Sequence, residues 1–159
     1  MRYEIERKWL VNDKVVPKDL FQSPFFRIDQ GYLEVLDSEN DEARIRRKGD
    51  KYFLTLKKGE GIKREENEVE IPSETYNLFL SLPNLNKLEK IRYEIPDRKY
   101  TIELDIYVGN LEGLATAEVE FENILESQSY IPPEWFGREI TGDKRYKNKN
   151  LAMNGLPED

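Results

Sequence analysis

Three side chains near the start of the chain, Glu4, Glu6 and Lys8, are spaced two residues apart within the stretch Glu4–Val11. On a strand, alternate side chains share a face. The two carboxylates and the lysine therefore lie on one side, and Ile5 and Trp9 on the other. Carboxylates at i and i+2 sit about 7 Å apart on a strand. At an effective dielectric near 20 they repel by about 2 kcal/mol. A charged but idle wet face would be the plain explanation for one such stretch. The other use for this set is to hold a divalent cation together with the anion it escorts.

The pattern recurs along the chain. Arg44, Arg46 and Lys48 share a face, as do Arg64, Glu66, Glu68 and Glu70, then Lys90 and Arg92, Glu103 and Asp105, and Glu118 and Glu120. The signs are segregated: the first stretch and the one at Glu118–Glu122 are acidic, whereas Arg44–Lys48 and Lys90–Arg92 are basic. Surfaces that serve only solubility intersperse their signs. Acidic and basic walls facing one space would hold metal on one side and a polyanion on the other.

Composition narrows the chemistry. Of 159 residues, 36% are charged and 38% hydrophobic, with no cysteine and no histidine. Disulfides, thiolate metal sites, Ser–His or Cys–His nucleophile systems and a histidine base are therefore excluded. Any metal must be a hard cation on oxygen ligands: magnesium, manganese or calcium. A net charge of −7 argues against a general nucleic-acid binder. No stretch approaches membrane-spanning length and the N-terminus lacks a signal-type apolar segment, so a soluble, cytoplasmic setting is expected.

The elements that must position these side chains are mostly strands. Period-two alternation predicts them at Glu4–Val11, Arg27–Leu36, Glu42–Lys48, Tyr52–Lys58, Ile62–Ile71, Leu88–Ile95, Tyr100–Val108 and Leu114–Phe121. Gly49-Asp50 suits a two-residue hairpin, and the polar run Asp37–Asp41 another turn. Pro17–Phe21 reads as a short helix or turn. Ser73 is expected to cap a helix over Glu74–Leu82, whose Tyr76, Phe79, Leu80 and Leu82 form an apolar stripe. Helical or irregular chain follows at Asn123–Gln128 and Asp143–Met153. Eight hairpin-linked strands suggest an antiparallel barrel or a strongly curved sheet. Its apolar faces could fill the interior, or the sheet could curve around its charged face with helices covering the outside. The amphipathic helix and the aromatic C-terminal part need an apolar surface to cover, which favours the second arrangement.

These residues resemble the CYTH superfamily, the triphosphate tunnel metalloenzymes. Glu4-x-Glu6-x-Lys8 is similar to its ExExK signature, and further pieces follow in the family's order: Arg44-x-Arg46, Thr55-Leu56-Lys57, Arg64 with Glu66 and Glu68, Lys90-x-Arg92, Glu103-Leu104-Asp105, Glu118-x-Glu120 and Asp143-Lys144-Arg145-Tyr146. The likeness spans essentially the whole chain. It implies a mainly β fold: a closed eight-stranded antiparallel β-barrel tunnel with flanking helices, one domain over residues 1–159. The segment Ile131–Gly137, together with Asp143–Ala152, resembles the compact bacterial inorganic triphosphatase branch.

The resemblance implies metal-dependent hydrolysis of a triphosphate, foremost inorganic triphosphate, with Mg2+ or Mn2+. It assigns Glu4, Glu6, Glu68, Asp105, Glu118 and Glu120 to metal, with Glu66 an alternative to Glu68. Lys8, Arg44, Arg46, Lys57, Arg64, Lys90, Arg92 and Arg145 would meet phosphate oxygens, where arginine offers bidentate contacts and lysine a point charge. Eight cations exceed what one triphosphate needs, so some must offset carboxylates. The base would be a carboxylate or Lys90, with Tyr32 beside it, although Tyr32 also suits a hydrogen-bonded wall position. Lys48 and Lys144 are expected at the rim. Competing functions are thiamine triphosphatase or class IV adenylate cyclase chemistry, and a non-catalytic polyphosphate- or nucleotide-binding module. A small-molecule triphosphate is the expected partner, with no nucleic acid and no membrane, in a monomer or homodimer.

Overall fold

The computed structural model describes residues 2–34 and 40–158. Among these residues nine strands run antiparallel: β1 (Arg2–Val11), β2 (Phe25–Leu33), β3 (Glu42–Lys48), β4 (Lys51–Lys58), β5 (Lys63–Glu70), β6 (Asn86–Asp97), β7 (Tyr100–Val108), β8 (Ala115–Phe121) and β9 (Phe136–Glu139). All eight expected strands are present. The turn expected over residues 37–41 and the strand end at Val35-Leu36 fall largely outside the described residues.

The sheet runs β5-β4-β3-β2-β6-β7-β8-β1-β9, and a β1–β5 pairing closes eight strands into a barrel. The closure is short: Arg2 to Ile5 pair with Glu66 to Lys63. Along its other edge β1 pairs with β8 from Ile5 to Leu10. β5 thus leaves β1 half way, and β9 takes the vacated edge, with Trp9 opposite Glu139 and Val11 opposite Phe136. Gly137 is required there, because a Cβ at this position would sit 2.7 Å from the Leu10 carbonyl oxygen. Four residues around a glycine carry no alternation, so β9 was not expected.

The apolar strand faces point outward and the charged faces inward. Ile5, Trp9 and Val11 of β1, Ile102 and Leu104 of β7, and Ala117, Val119 and Phe121 of β8 form one buried cluster with Val16, Tyr130 and Phe136. The short helix α2 (Ile124–Ser129) lies against β1 and β8 over this surface. The Trp9 ring sits 4.9 Å from that of Phe136 and 5.8 Å from that of Tyr130. Such tilted aromatic contacts fix orientation beyond the area they bury.

Helix α1 (Ser73–Leu80) begins one residue earlier than expected. Pro72, with no side-chain cap, occupies the N-cap, and the fixed proline φ takes over the start that Ser73 was expected to mark. Only Tyr76 of its stripe is fully buried, its ring tilted against that of Tyr52 at 4.9 Å. The C-terminal part forms a 3₁₀ turn (Lys144–Tyr146) and α3 (Asn148–Asn154). These close one end of the barrel. Ile140, Tyr146 and Leu151 pack on Tyr32, Leu88, Tyr107, Leu111 and Leu114 in a second buried cluster. Among the described residues no helix is long and apolar enough to cross a membrane.

Candidate active site

The bore holds a cavity of about 680 Å3, lined by inward residues of all eight barrel strands and by the C-terminal segment. Strand alternation places the site: Glu4, Glu6 and Lys8 come from β1, Arg44 and Arg46 from β3, Lys57 from β4, Glu66 and Glu68 from β5, and Arg92 from β6. Glu103 from β7, and Glu118 and Glu120 from β8, complete the ring. Register brings the acids together, since Glu6 faces Glu120 and Lys8 faces Glu118 across β1–β8.

The acidic wall is crowded. Burial, then the charges of Glu118 and Glu4, push the Glu6 carboxyl well above the usual carboxylate range. Burial and a hydrogen bond with Glu4 raise Glu66 to about 7. Burial opposes ionisation of Glu4 as well, but the Lys57 ammonium overrides it and holds Glu4 below the ordinary range. Glu118 is held down in the same way, against burial, chiefly by Lys8 at 3.5 Å. Carboxylates close enough to share protons form a donor set that fits a hard divalent cation, which would replace the shared protons. Among the described residues, no three acidic groups converge as a ready-made cage.

The basic wall is crowded too. Arg46 donates from Nε to Gln30 Oε1 at 3.1 Å and has no ion pair among the described residues. Burial, then Arg44 and Arg92, lower its guanidinium to about 10. Arg44 donates to Thr55 Oγ1 at 3.2 Å and lies 3.6 Å from Glu68, while its buried Nε has no acceptor. Within this wall, on β2 between β3 and β6, stands Tyr32, buried at 3% exposure, whose hydroxyl accepts from Gln30 Nε2 at 2.8 Å. Burial, then Glu42, raises its phenol further above neutrality.

Three expected site residues do not line the cavity. Asp105 has no solvent exposure, and both its oxygens are taken. Arg92 Nε reaches Oδ1 at 2.8 Å, Arg92 Nη2 reaches Oδ2 at 2.9 Å, and Lys90 Nζ lies 2.7 Å from Oδ2. Lys90 is equally sealed, beside Asp105 and 5.6 Å from the Tyr107 ring centroid. Its contact with Asp105 is short but poorly aligned for a hydrogen bond. Burial outweighs Asp105 and lowers this ammonium to about 7. Arg145 lies at the surface with Asp143, Nη2 to Oδ2 at 2.8 Å. Arg64 lines the mouth, but it spends Nε on the Gly59 carbonyl and Nη2 on that of Asn40.

Sequence reasoning missed Arg2, which bridges Glu66 at 3.5 Å and Glu120 at 3.4 Å at the open end. It lies two residues before Glu4 on the same face of β1, so extending the alternation one step toward the N-terminus would have found it. Lys48 and Lys144, expected at the rim, both line the cavity, joined by Lys147 and Asn148 of the closing segment. Lys8 ties that segment down. Its Nζ donates to the Tyr146 carbonyl at 2.8 Å, and its backbone N–H donates to Thr141 Oγ1 at 2.9 Å.

A closed antiparallel barrel with opposed charged walls in its bore defines the class, and residues 2–152 match the CYTH domain. The chain belongs to this family. It is 40% identical over 152 residues to the inorganic triphosphatase of Nitrosomonas europaea, covering 94% of this chain and 97% of that one. It is 38% identical over 156 residues to the inorganic triphosphatase of Acetivibrio thermocellus, covering 97% and 96%. A solved inorganic triphosphatase structure superposes with a TM-score of 0.67 at 36% identity, over 99% of both chains.

Proposed function

We propose that this chain hydrolyses inorganic triphosphate to pyrophosphate and phosphate with a divalent cation, Mg2+ or Mn2+, as a single domain over residues 1–159. The observation that carries this reading is the opposition of two like-charge walls across one cavity. Glu4, Glu6 and Glu118 crowd on one side, and Arg44, Arg46 and Arg92 on the other. Each wall is stabilised by what the other repels. The two similar triphosphatases support the same substrate.

Glu4, Glu6, Glu118 and Glu120 would hold the cation, with Glu66 and Glu68 toward a second position. A cation bound there neutralises phosphate charge and acidifies water. Phosphoryl transfer otherwise depends on positioning and charge neutralisation. Arg44, Arg46 and Arg92 bind the phosphate oxygens as planar forks, and Lys8 and Lys57 bind them as point charges. Tyr32 stays a neutral phenol and donates to a phosphate oxygen. A carboxylate of the acidic wall accepts the proton of the attacking water, which enters in line with the departing pyrophosphate. The open mouth admits a small anion, and the net charge of −7 disfavours nucleic acid as partner.

The test incubates purified protein with Mg2+ or Mn2+ and, in parallel, inorganic triphosphate, thiamine triphosphate and ATP. Phosphate release mainly from inorganic triphosphate is expected. Preferential cleavage of thiamine triphosphate, formation of cyclic AMP, or tight binding without product would each overturn the reading.

A further inference from the structure

Asp105 carries the family-like acidic position on β7, yet its environment differs from every carboxylate that lines the bore. Glu4, Glu6, Glu118 and Glu120 face the cavity, whereas Asp105 is at 0% exposure with two cations on its two oxygens. The register sets this arrangement, because Arg92 lies directly opposite Asp105 in the β6–β7 ladder. Arg92 therefore meets Asp105 through Nε and Nη2, the two nitrogens on one side of its fork. A third nitrogen, Nη1, donates to Glu103 Oε2 at 2.9 Å. A guanidinium held by three bonds from β7 presents a fixed edge to the cavity it lines. Lys90, two residues earlier on the same face of β6, closes on the far side of Asp105 and supplies the second positive charge that a carboxylate between two cations needs.

We propose that Asp105 is a positioning residue for Arg92, braced by Lys90, and contributes nothing to cation binding. This rests on the reading of the cavity as a triphosphate site. Asp105 has no lone pair directed into the bore, and freeing one would leave Arg92 and Lys90 as uncompensated buried cations, a costly state. Lys90, sealed behind the same pair, acts through Asp105 and does not reach the water.

The test is a double-mutant cycle read by calorimetric binding of tripolyphosphate in metal-free buffer, with Mn2+ affinity measured separately by electron paramagnetic resonance. Asp105→Asn is expected to weaken tripolyphosphate binding about tenfold, the size of one charge-assisted contact. It should leave Mn2+ affinity within about twofold. In an Arg92→Lys background, where the fork is already lost, the same change should add almost nothing, because residues that act as a unit are not additive. Lys90→Met, which exchanges a buried charge for an apolar chain of similar length, provides the second variant should Asp105→Asn not fold. It should weaken tripolyphosphate binding several-fold, and again only when Arg92 is present.

Additive effects, or a Mn2+ affinity lowered tenfold or more in Asp105→Asn, would overturn the proposal. So would a Lys90→Met protein that binds tripolyphosphate normally but turns it over slowly, since Lys90 would then act on the reaction itself. Failure of the unmodified protein to bind tripolyphosphate would instead refute the reading of the cavity, and is distinguishable from all of these.

Discussion

The Lys57 ammonium straddles the Glu4 carboxylate, with Nζ 3.0 Å from Oε1 and 2.9 Å from Oε2. This pair joins the two walls of the bore. Lys57 also lies 3.9 Å from Glu66, so three charged groups share a site with little water. Substrate and cation together would give each partner a new counter-charge, the phosphate for Lys57 and the metal for Glu4. On the proposed function, the pair would be a resting arrangement that the bound complex replaces.

Glu4→Gln keeps the shape and removes the charge. Turnover of inorganic triphosphate should fall by at least about 100-fold, the upper end of what even outer-shell changes at metal sites cost. The barrel should remain, because Lys57 retains Glu66 and the outer clusters are untouched. Steady-state kinetics with far-ultraviolet circular dichroism checks both halves. Full Mg2+-dependent activity in this variant would remove Glu4 from the metal site.

The raised carboxyls make cation binding depend on pH. Glu66 titrates at about 7, and Glu6 lies well above the usual carboxylate range, each because of burial first and neighbouring carboxylates next. Below these values the groups hold protons that an incoming cation must displace. The Mg2+ concentration giving half-maximal activity should therefore fall as pH rises from about 6 to 8. A flat profile would mean that these acids are already ionised, or that they do not meet the metal.

Much of this site could be read from alternation alone. The period-two pattern locates eight strands, and the segregation of sign shows that the charged faces share a space. The face of a side chain is legible in this way, but its depth is not. Lys90 and Arg92 share one face of β6, yet Arg92 lines the cavity and Lys90 lies sealed beneath it, near Tyr107. Which cation finds an internal partner was equally hidden. Arg145 and Arg64 were both expected to meet phosphate, but Asp143 engages the one at the surface and loop carbonyls the other at the mouth. The strand β9 escaped because four residues around Gly137 carry no periodic signal, and only the edge of β1 left by β5 gives them a partner.

The closing segment should contribute stability as well as a wall. Leu151 is at 1% exposure among Tyr32, Leu88, Tyr107 and Tyr146. Leu151→Ala would leave a cavity there and should destabilise the protein by about 2–5 kcal/mol. Loosening α3 would also release the Lys8 contact to the Tyr146 carbonyl, so loss of activity should appear below the unfolding temperature. Thermal unfolding, with activity followed over the same range, tests the coupling; coincident loss of both would refute it.

If Arg46 serves to bind the anion, it should do so at the expense of stability. It is half-buried beside Arg44 and Arg92 with, among the described residues, the Gln30 side-chain oxygen as its acceptor, and its guanidinium is lowered to about 10. Exchanging a partly desolvated charge that lacks an ion pair for an apolar chain commonly stabilises a protein. Arg46→Met should therefore raise the unfolding temperature of the substrate-free protein, by roughly 3 °C for a gain of about 1 kcal/mol. The same change removes a fork from the phosphate wall and should raise KM for inorganic triphosphate at least about tenfold, since a charge-assisted hydrogen bond contributes about 1.5–3 kcal/mol. Calorimetric unfolding with and without tripolyphosphate separates the two effects. The variant should be the more stable protein alone and gain less from added ligand. A variant less stable in both conditions would show that Arg46 supports the barrel and is not held in reserve for an anion.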